Sequence, residues 1–577
     1  MPSPSPCSAL ARVQNASWAR VNTPAARAWD RAIDPGSARE AVGVDTCTQQ
    51  TSVLPVGYVV KAAGAHEARL RYPRQEDSMR RLILGVAAAL TLTTFSVPPA
   101  SGQPNPDSSQ LRAAVTPEGV FRHLESLNKI AADHGGERAS GTPGYQASVD
   151  YAVGLLKDAG YRISIQPFDF AFFDELSPSE LERVSPDPKT FGNSTDFATM
   201  LYSGSGHTTA QLQPVDVTIP PTPTPSSTSG CEAADFAGFT PGNVALIQRG
   251  TCFFRDKALN AMAAGASAVI IFNEGQPGRD GLFFGTLTEP GVTIPVLSAS
   301  FAVGEELYNN TLAGETIVRV FTDTISEIRE TYNVFAESRF GKQEDVIMAG
   351  AHLDSVLDSP GMNDNASGAG TILETAIQWQ RLDLGSRNKL RFALWGAEEL
   401  GLLGSEHYVS TLSDAEKSRI KMYLNFDVEA SINGFPFVYT PEPGDGTPPG
   451  SAEATGVFED YFDSVGLPHD PTPLLGASDH VSFLDGGIPA GGLFSGATGI
   501  KTEEQAAAYG GTAGEPYDDL INSPFDTIDR INLDVLDDMS DAAAHGIFWY
   551  AFRAPAQDRA ATHTAGPMTE GTMVPRK

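Results

Sequence analysis

The chain has 577 residues, 41% of them apolar, so it is long enough for two or more domains with real cores and is ordinary globular material by composition. Its 40 basic and 71 acidic residues leave a formal charge of −31. That balance excludes nucleic acid and anionic membrane surfaces as natural partners, because both are polyanions that repel it.

Residues 1–78 carry no sustained hydrophobic periodicity and read as a disordered prefix, ahead of a later true start. Met79-Arg80-Arg81, an uncharged run from Leu82 to about Val97 and the Pro-Pro-Ala-Ser-Gly behind it form a basic start, a short apolar core and a small-residue end. Residues 79–102 therefore read as a signal peptide, and the protein as secreted; the alternative is a cytoplasmic prefix with a small apolar helix. A membrane span needs about 20 apolar residues, so this run predicts no membrane anchor. Cys7 and Cys47 fall in the prefix, which leaves Cys231 and Cys252 as an isolated pair. In an exported chain such a pair is most simply a disulfide, the alternative being two buried thiols.

Residues 119–130 repeat apolar positions every three to four residues and predict a helix; 135–144 are a Gly-rich loop, and 145–159 a second helix. Residues 161–170 alternate like a strand. Residues 220–229, only Pro, Ser and Thr, form a loop. Beyond them 244–248, a turn at Arg249-Gly250, a helix at about 253–264 and a strand at 268–273 make a smaller α/β unit that holds the cysteine pair, placed at 171–324. From Tyr332 strand, loop and helix alternate through 345–351, 368–381, 389–395, 420–426 and 487–494. This pattern predicts an α/β fold with a mostly parallel mixed sheet and helices on both faces. Its two parts, 103–170 and 325–560, are interrupted by the smaller unit, and 561–577 read as a disordered tail.

Four stretches carry the chemistry: A-H-L-D-S-V (351–356), G-M-N-D-N-A-S-G (361–368), W-G-A-E-E-L-G-L-L-G-S (395–405) and L-N-F-D-V (424–428). In open α/β sheets ligands bind beyond the carboxyl ends of the strands. His352, the pair Glu398-Glu399 and Asp427 each follow an apolar run, and Asp364 precedes a helix, so all should crowd one edge. Clustered carboxylates repel unless cations sit among them, and imidazole with carboxylates suits zinc. Of the adjacent glutamates, Glu399 is the better ligand and Glu398 the better general base, and Asp354 is placed to orient His352 from behind. Any one of these residues alone reads more simply as a turn, capping or helix-dipole residue. The ordered set points to a hydrolytic centre with two zinc ions.

These motifs resemble metallopeptidase family twenty-eight, the secreted di-zinc aminopeptidases of leucyl-aminopeptidase type. N-D-N-A-S-G, A-E-E-L-G-L-L-G-S, S-D-H-V-S-F and Y-G-G-T-A-G-E-P-Y-D carry the likeness, over about residues 116–552. The insertion resembles a protease-associated domain through A-L-I-Q-R-G-T-C-F-F and A-G-A-S-A-V-I-I-F-N. The resemblance implies the zinc-aminopeptidase, phosphorylase/hydrolase-like fold. It also implies that His352 and Asp427 bind one zinc, Asp364 bridges both, Glu399 binds the second and Glu398 is the base. One family ligand is replaced: Asn522 stands where a histidine belongs. Ile521 replaces a tyrosine that steadies the oxyanion, Leu520 and Phe525 replace two bracing cysteines, and Ala477 replaces an arginine. An amide oxygen is a weaker zinc ligand than imidazole, so the zinc shared by Asp364 and Glu399 is expected to be weak or absent. His469, His480 and His545 lie nearby in sequence, but substitution for the lost ligand is the minor reading, and His480, in the S-D-H stretch, reads as structural.

The resulting expectation is a secreted zinc aminopeptidase, a monomer, weakened by the loss of one His ligand, that hydrolyses N-terminal residues of a peptide or protein substrate through a metal-activated water. An apolar pocket is expected from Val428, Phe483 and Phe494. The alternatives are a catalytically impaired binding protein on the same scaffold, and a carboxypeptidase or aminoacylase. A carboxypeptidase needs a cation for the substrate carboxylate, and none stands out.

Overall fold

The computed structural model describes residues 107–476 and 478–553. The expectations for 1–78, 79–102, 561–577 and Ala477 lie outside the described residues. Among the described residues no helix is long and apolar enough to cross a membrane.

The strands that matter are, in chain order, β1 (Arg162–Ser185), β2 (Gly206–Val215), β3 (Val244–Gln248), β4 (Ala268–Phe272), β5 (Val296–Ala299), β6 (Ile317–Glu337), β7 (Lys342–His352), β8 (Asn388–Trp395), β9 (Ile420–Phe426), β10 (Phe437–Thr440), β11 (Asp470–Pro473) and β12 (Ala490–Phe494). The main sheet runs β11-β10-β12-β9-β7-β8-β6. Its centre is parallel, with β7 between β8 and β9 and β12 beyond β9. β6 and β10 join antiparallel, which gives the mixed sheet that the alternation of elements implies.

Both faces are covered. On one, Trp379, Phe426, Phe458 and Trp549 belong to a core under the helices Pro117–Asp133, Gly368–Arg381 and Leu533–Phe552. On the other, Trp395, Tyr408, Tyr423 and Phe483 pack beneath Leu403–Thr411 and His480–Asp485. The first two long helices start as their sequences dictate. Thr116 and Thr142 cap them, and each is followed by a proline whose missing N–H has no partner to lose.

The smaller unit is a parallel run, β2-β3-β4-β5, in which β2 pairs antiparallel with β6, with helices Phe254–Ala263 and Phe301–Ala313 and the Cys231–Cys252 disulfide. It joins the main sheet through β1 and β6, which pair antiparallel from Arg162↔Glu337 to Ser185↔Ile317. The sequence suggests a strand only as far as Phe170, and the expected junctions at 170/171 and 324/325 fall inside these two strands. Glu, Ser and Pro178 give 174–185 the texture of a loop. As an outer strand with bulges between Glu175 and Ser177 and between Ser177 and Glu180, β1 accommodates them. Phe168, Phe170 and Phe172 alternate onto one face of this ribbon and pack on Ala397, the residue before Glu398.

Candidate metal centre

The carboxyl edge of the main sheet positions the chemistry. His352 is the last residue of β7 and Asp427 follows β9 directly. Glu398 and Glu399 sit in the turn between β8 and helix Leu403–Thr411, so they do not serve that helix's dipole. Asp364 lies in the irregular turn Met362–Ser367, with φ −113° and ψ 94°, before helix Gly368–Arg381. Three non-glycine residues at this edge have left-handed backbone: Ala397 (φ 53°), Val428 (φ 62°) and Asn522 (φ 58°). Such conformations cost on the order of 1–3 kcal/mol each and persist where surrounding structure enforces them.

His352, Asp364 and Asp427 converge, each buried, with one ligand atom apiece within 4.8 Å of the others. His352 Nε2 lies 2.9 Å from Asp364 Oδ1 and 3.1 Å from Asp427 Oδ1. His352 Nδ1 lies 3.1 Å from the backbone oxygen of Asp354. A carbonyl can only accept, so Nδ1 carries the proton, and a neutral ring turns a bare Nε2 lone pair onto two carboxylate oxygens. Acceptors facing acceptors require a cation between them, either a proton or a metal ion. Burial opposes charge on His352. The carboxylates of Glu398 and Asp427 and the contacts with Asp354 and Asp364 outweigh it and hold the imidazole well above its ordinary value. An imidazole and two carboxylates meeting at one point fit a divalent ion such as zinc.

Glu398 Oε2 stands 3.8 Å from His352 Nε2, outside that group of three. Burial pushes its carboxyl well above the usual range; His352 opposes this, and Asp427, Asp479 and Glu399 add to it. A carboxyl at this edge, close to the converging donors but outside their group, is placed to exchange a proton with a water there. Asp354 lies behind His352, where the sequence placed it. Its backbone carbonyl orients His352, while its carboxylate Oδ1 is 3.6 Å from Nδ1 and accepts the Glu398 amide at 3.3 Å.

Each aspartate of the group has its second oxygen engaged. Ser478 Oγ donates to Asp427 Oδ2 at 2.6 Å. Behind it Asn425 Nδ2 donates to Ser478, Tyr423 Oη to Asn425 and Trp395 Nε1 to Tyr423, each at 2.8 Å and all buried. This relay leaves Oδ1 of Asp427 directed at His352. Ser478→Ala is therefore expected to weaken metal affinity about tenfold with the fold intact, read by chelator competition beside circular dichroism.

On Asp364 the second oxygen is taken by the degenerate position: Asn522 Nδ2 donates to Oδ2 at 2.6 Å. Glu399, half-buried, lies outside the group of three. No nearby histidine stands in for the lost ligand. His480 Nε2 donates to the Leu474 carbonyl at 2.7 Å, and burial lowers its ring to about 4. His545 Nδ1 bonds Ser108 Oγ and His469 pairs with Asp463. Ile521 packs against the apolar cluster of Trp395 and Phe483. That cluster also absorbs the residues expected to line a pocket: Val428 and Phe483 are fully buried, Phe494 nearly so, and Phe483 stacks on Tyr423 at 3.9 Å. They are core, because the interior of the sheet face claims them first.

Although Leu520 and Phe525 cannot form the family's covalent brace, the Asn522 loop is well held. Asp526 accepts the backbone amides of Asn363 and Asp364 at 2.8 and 3.0 Å. Asn363 Nδ2 donates to Asp518 Oδ2 at 2.8 Å and Ser359 Oγ to the Ser523 carbonyl at 2.7 Å. Sequence reading missed Ser478, Asp518 and Asp526. Ser478 opens the S-D-H-V-S-F stretch and Asp518 closes Y-G-G-T-A-G-E-P-Y-D, so both lay in motifs that carry the family likeness without being given a role.

Comparison with known proteins places the chain in a family. The model of "Peptidase family M28" matches residues 333–547, and the model of "PA domain" matches 210–307. An "Aminopeptidase" of Pseudomonas aeruginosa (strain UCBPP-PA14) is 43% identical over 495 residues, covering 82% of this chain and 89% of its own length. A "Probable lipoprotein aminopeptidase" of Mycobacterium tuberculosis is 38% identical, over 76% of this chain and 86% of the relative. The "Probable leucine aminopeptidase 2" of Aspergillus fumigatus is 35% identical, over 72% and 79%. Among solved structures, an aminopeptidase from Aneurinibacillus sp. strain AM-1 superposes with TM-score 0.53 at 27% identity, covering 78% of this chain and 97% of that one.

Proposed function

The chain belongs to peptidase family M28 and is an aminopeptidase of that family, with a PA domain inserted in its α/β fold; on that premise we propose that it removes N-terminal residues from peptides with zinc held by His352, Asp364 and Asp427. The observation that carries the metal reading is the convergence of His352 Nε2 with one oxygen of each aspartate while Nδ1 is committed to Asp354.

Bound zinc supplies a Lewis acid that lowers the pKa of a water and polarises the scissile carbonyl. Glu398 takes the proton from the attacking water on its carboxylate and returns it to the departing amine. Asp427, fixed by Ser478, and Asp364, fixed by Asn522 and by Asp526 through its backbone, keep the edge of the sheet rigid during that transfer. Ile521 offers no hydrogen bond to a developing oxyanion, which costs on the order of 3 kcal/mol of transition-state stabilisation relative to a site with such a donor.

A second zinc position is part of the same proposal, built from Asp364, Glu399 and Asn522. It would be the weaker one, because an amide oxygen at 522 is a poorer zinc ligand than an imidazole. Export rests on the Met79 leader, and the monomeric state on the sequence alone. The deciding experiment purifies the chain from about Gln103, measures bound zinc and assays aminoacyl anilides. Wild type is expected to retain zinc through gel filtration and to lose activity to a chelator. Wild type as inert as a Glu398→Ala variant would instead favour a binding protein on this scaffold, the reading that the loss of the histidine and tyrosine supports.

A further inference from the structure

The geometry points to Arg138 as the positioning residue that sets the spacing of the two loops carrying His352 and Asp364, an inference that rests on the metal reading of that site. Arg138 belongs to the Gly-rich loop between the first two long helices, a segment with no spacing or residue pattern that marks it as functional. It is fully buried.

Its guanidinium forks between the two loops. Nη1 donates to the carbonyl of Leu353, the residue after His352. Nε donates to the Pro360 carbonyl at 2.9 Å and Nη2 to the Gly361 carbonyl at 2.7 Å, three residues before Asp364. The backbone joins in: Arg138 N–H donates to Ser355 Oγ at 2.9 Å, and its carbonyl accepts the Ser355 amide at 3.3 Å. Gly361 permits this close approach. Its φ is +61°, and a Cβ there would meet the Asp364 carbonyl oxygen at 2.6 Å and Arg138 Nη2 at 3.0 Å. From the other side Asp526 grips the amides of Asn363 and Asp364, so the Asp364 turn is held by its carbonyls through Arg138 and by its amides through Asp526.

The three acceptors are neutral carbonyls. The charge of Arg138 is sustained at longer range by Asp354, Asp526, Glu399 and Asp364, against a burial that lowers its pKa to about 10. Arg138 thus supplies a fixed positive charge to a cluster of acids and a rigid ruler between their loops. A lysine keeps the charge, but its single ammonium cannot reproduce a planar fork to carbonyls on two loops. Loss of the fork leaves buried carbonyls unsatisfied in the segments that place His352 and Asp364, and a metal site tolerates only small displacements of its donors.

The test uses the full chain as wild type, Arg138→Lys and Arg138→Met. Zinc affinity is measured by chelator competition, the cobalt-substituted protein by its visible absorption spectrum, and the fold by circular dichroism and metal-free thermal unfolding. Arg138→Lys is expected to fold, to bind zinc at least tenfold more weakly and to show an altered cobalt spectrum, with a larger loss in Arg138→Met. A folded Arg138→Lys with wild-type affinity and spectrum overturns the inference, even if it melts earlier, because a purely structural arginine moves stability alone. If Arg138→Met fails to fold, Arg138→Lys decides. Wild type that binds no zinc is a different result: it sinks the metal reading, and this inference with it.

Discussion

Replacing Glu398 by Ala is expected to lower kcat about a thousandfold, in the middle of the range for removal of a general base, while zinc content stays at the wild-type level. The two outcomes are linked by geometry. Glu398 is buried at the site, but its nearer oxygen is 3.8 Å from His352 Nε2 and the three converging donors do not include it. Its place beside the donors but outside their group fits a group that exchanges a proton. Aminoacyl-anilide turnover and elemental zinc on the same preparation decide the matter. A variant that loses zinc along with activity would make Glu398 a ligand and leave the base unidentified.

Asn522→His is expected to raise zinc affinity at the second position by about 10- to 100-fold, and kcat with it. The amide at 522 donates to Asp364 Oδ2 at 2.6 Å, so the position already reaches the carboxylate that an imidazole would share with an ion. The loop needs little rebuilding, because Asp526, Asp518 and Ser523 hold it against the Asp364 turn without a disulfide. The left-handed backbone at 522 (φ 58°) is already imposed by asparagine, and histidine tolerates that region better than β-branched residues do. Zinc titration of the variant beside wild type is the measurement. A variant with unchanged stoichiometry and unchanged rate would mean that residue 522 does not face a metal.

The sheet and two of the three converging donors were legible in the sequence for one physical reason. A buried parallel strand is a continuous apolar run, and in this architecture the residue just past its end is placed at the binding edge. His352 after 346–351 and Asp427 after 420–426 are both found this way. What escaped is held by contacts that sequence cannot encode locally. Arg138 meets the carbonyl of Leu353 across 215 positions, and backbone carbonyls belong to every residue alike. Ser478 reaches Asp427 across 51 positions. Asp354 was found behind His352, but which of its atoms makes the contact, the backbone carbonyl, is not written in the residue type. Val428, Phe483 and Phe494 are apolar, yet apolar character alone does not separate a pocket wall from an interior, and here the interior takes them.

β1 and β6 are each a single uninterrupted strand shared by both parts of the molecule, with Phe168, Phe170 and Phe172 seated against Ala397. The PA domain is consequently not a detachable cassette. Excising 171–324 to shorten the protein would sever both strands and strip Phe172 from beneath the turn that presents Glu398. A deletion that begins beyond Glu175 and ends before Thr324 would leave that support in place.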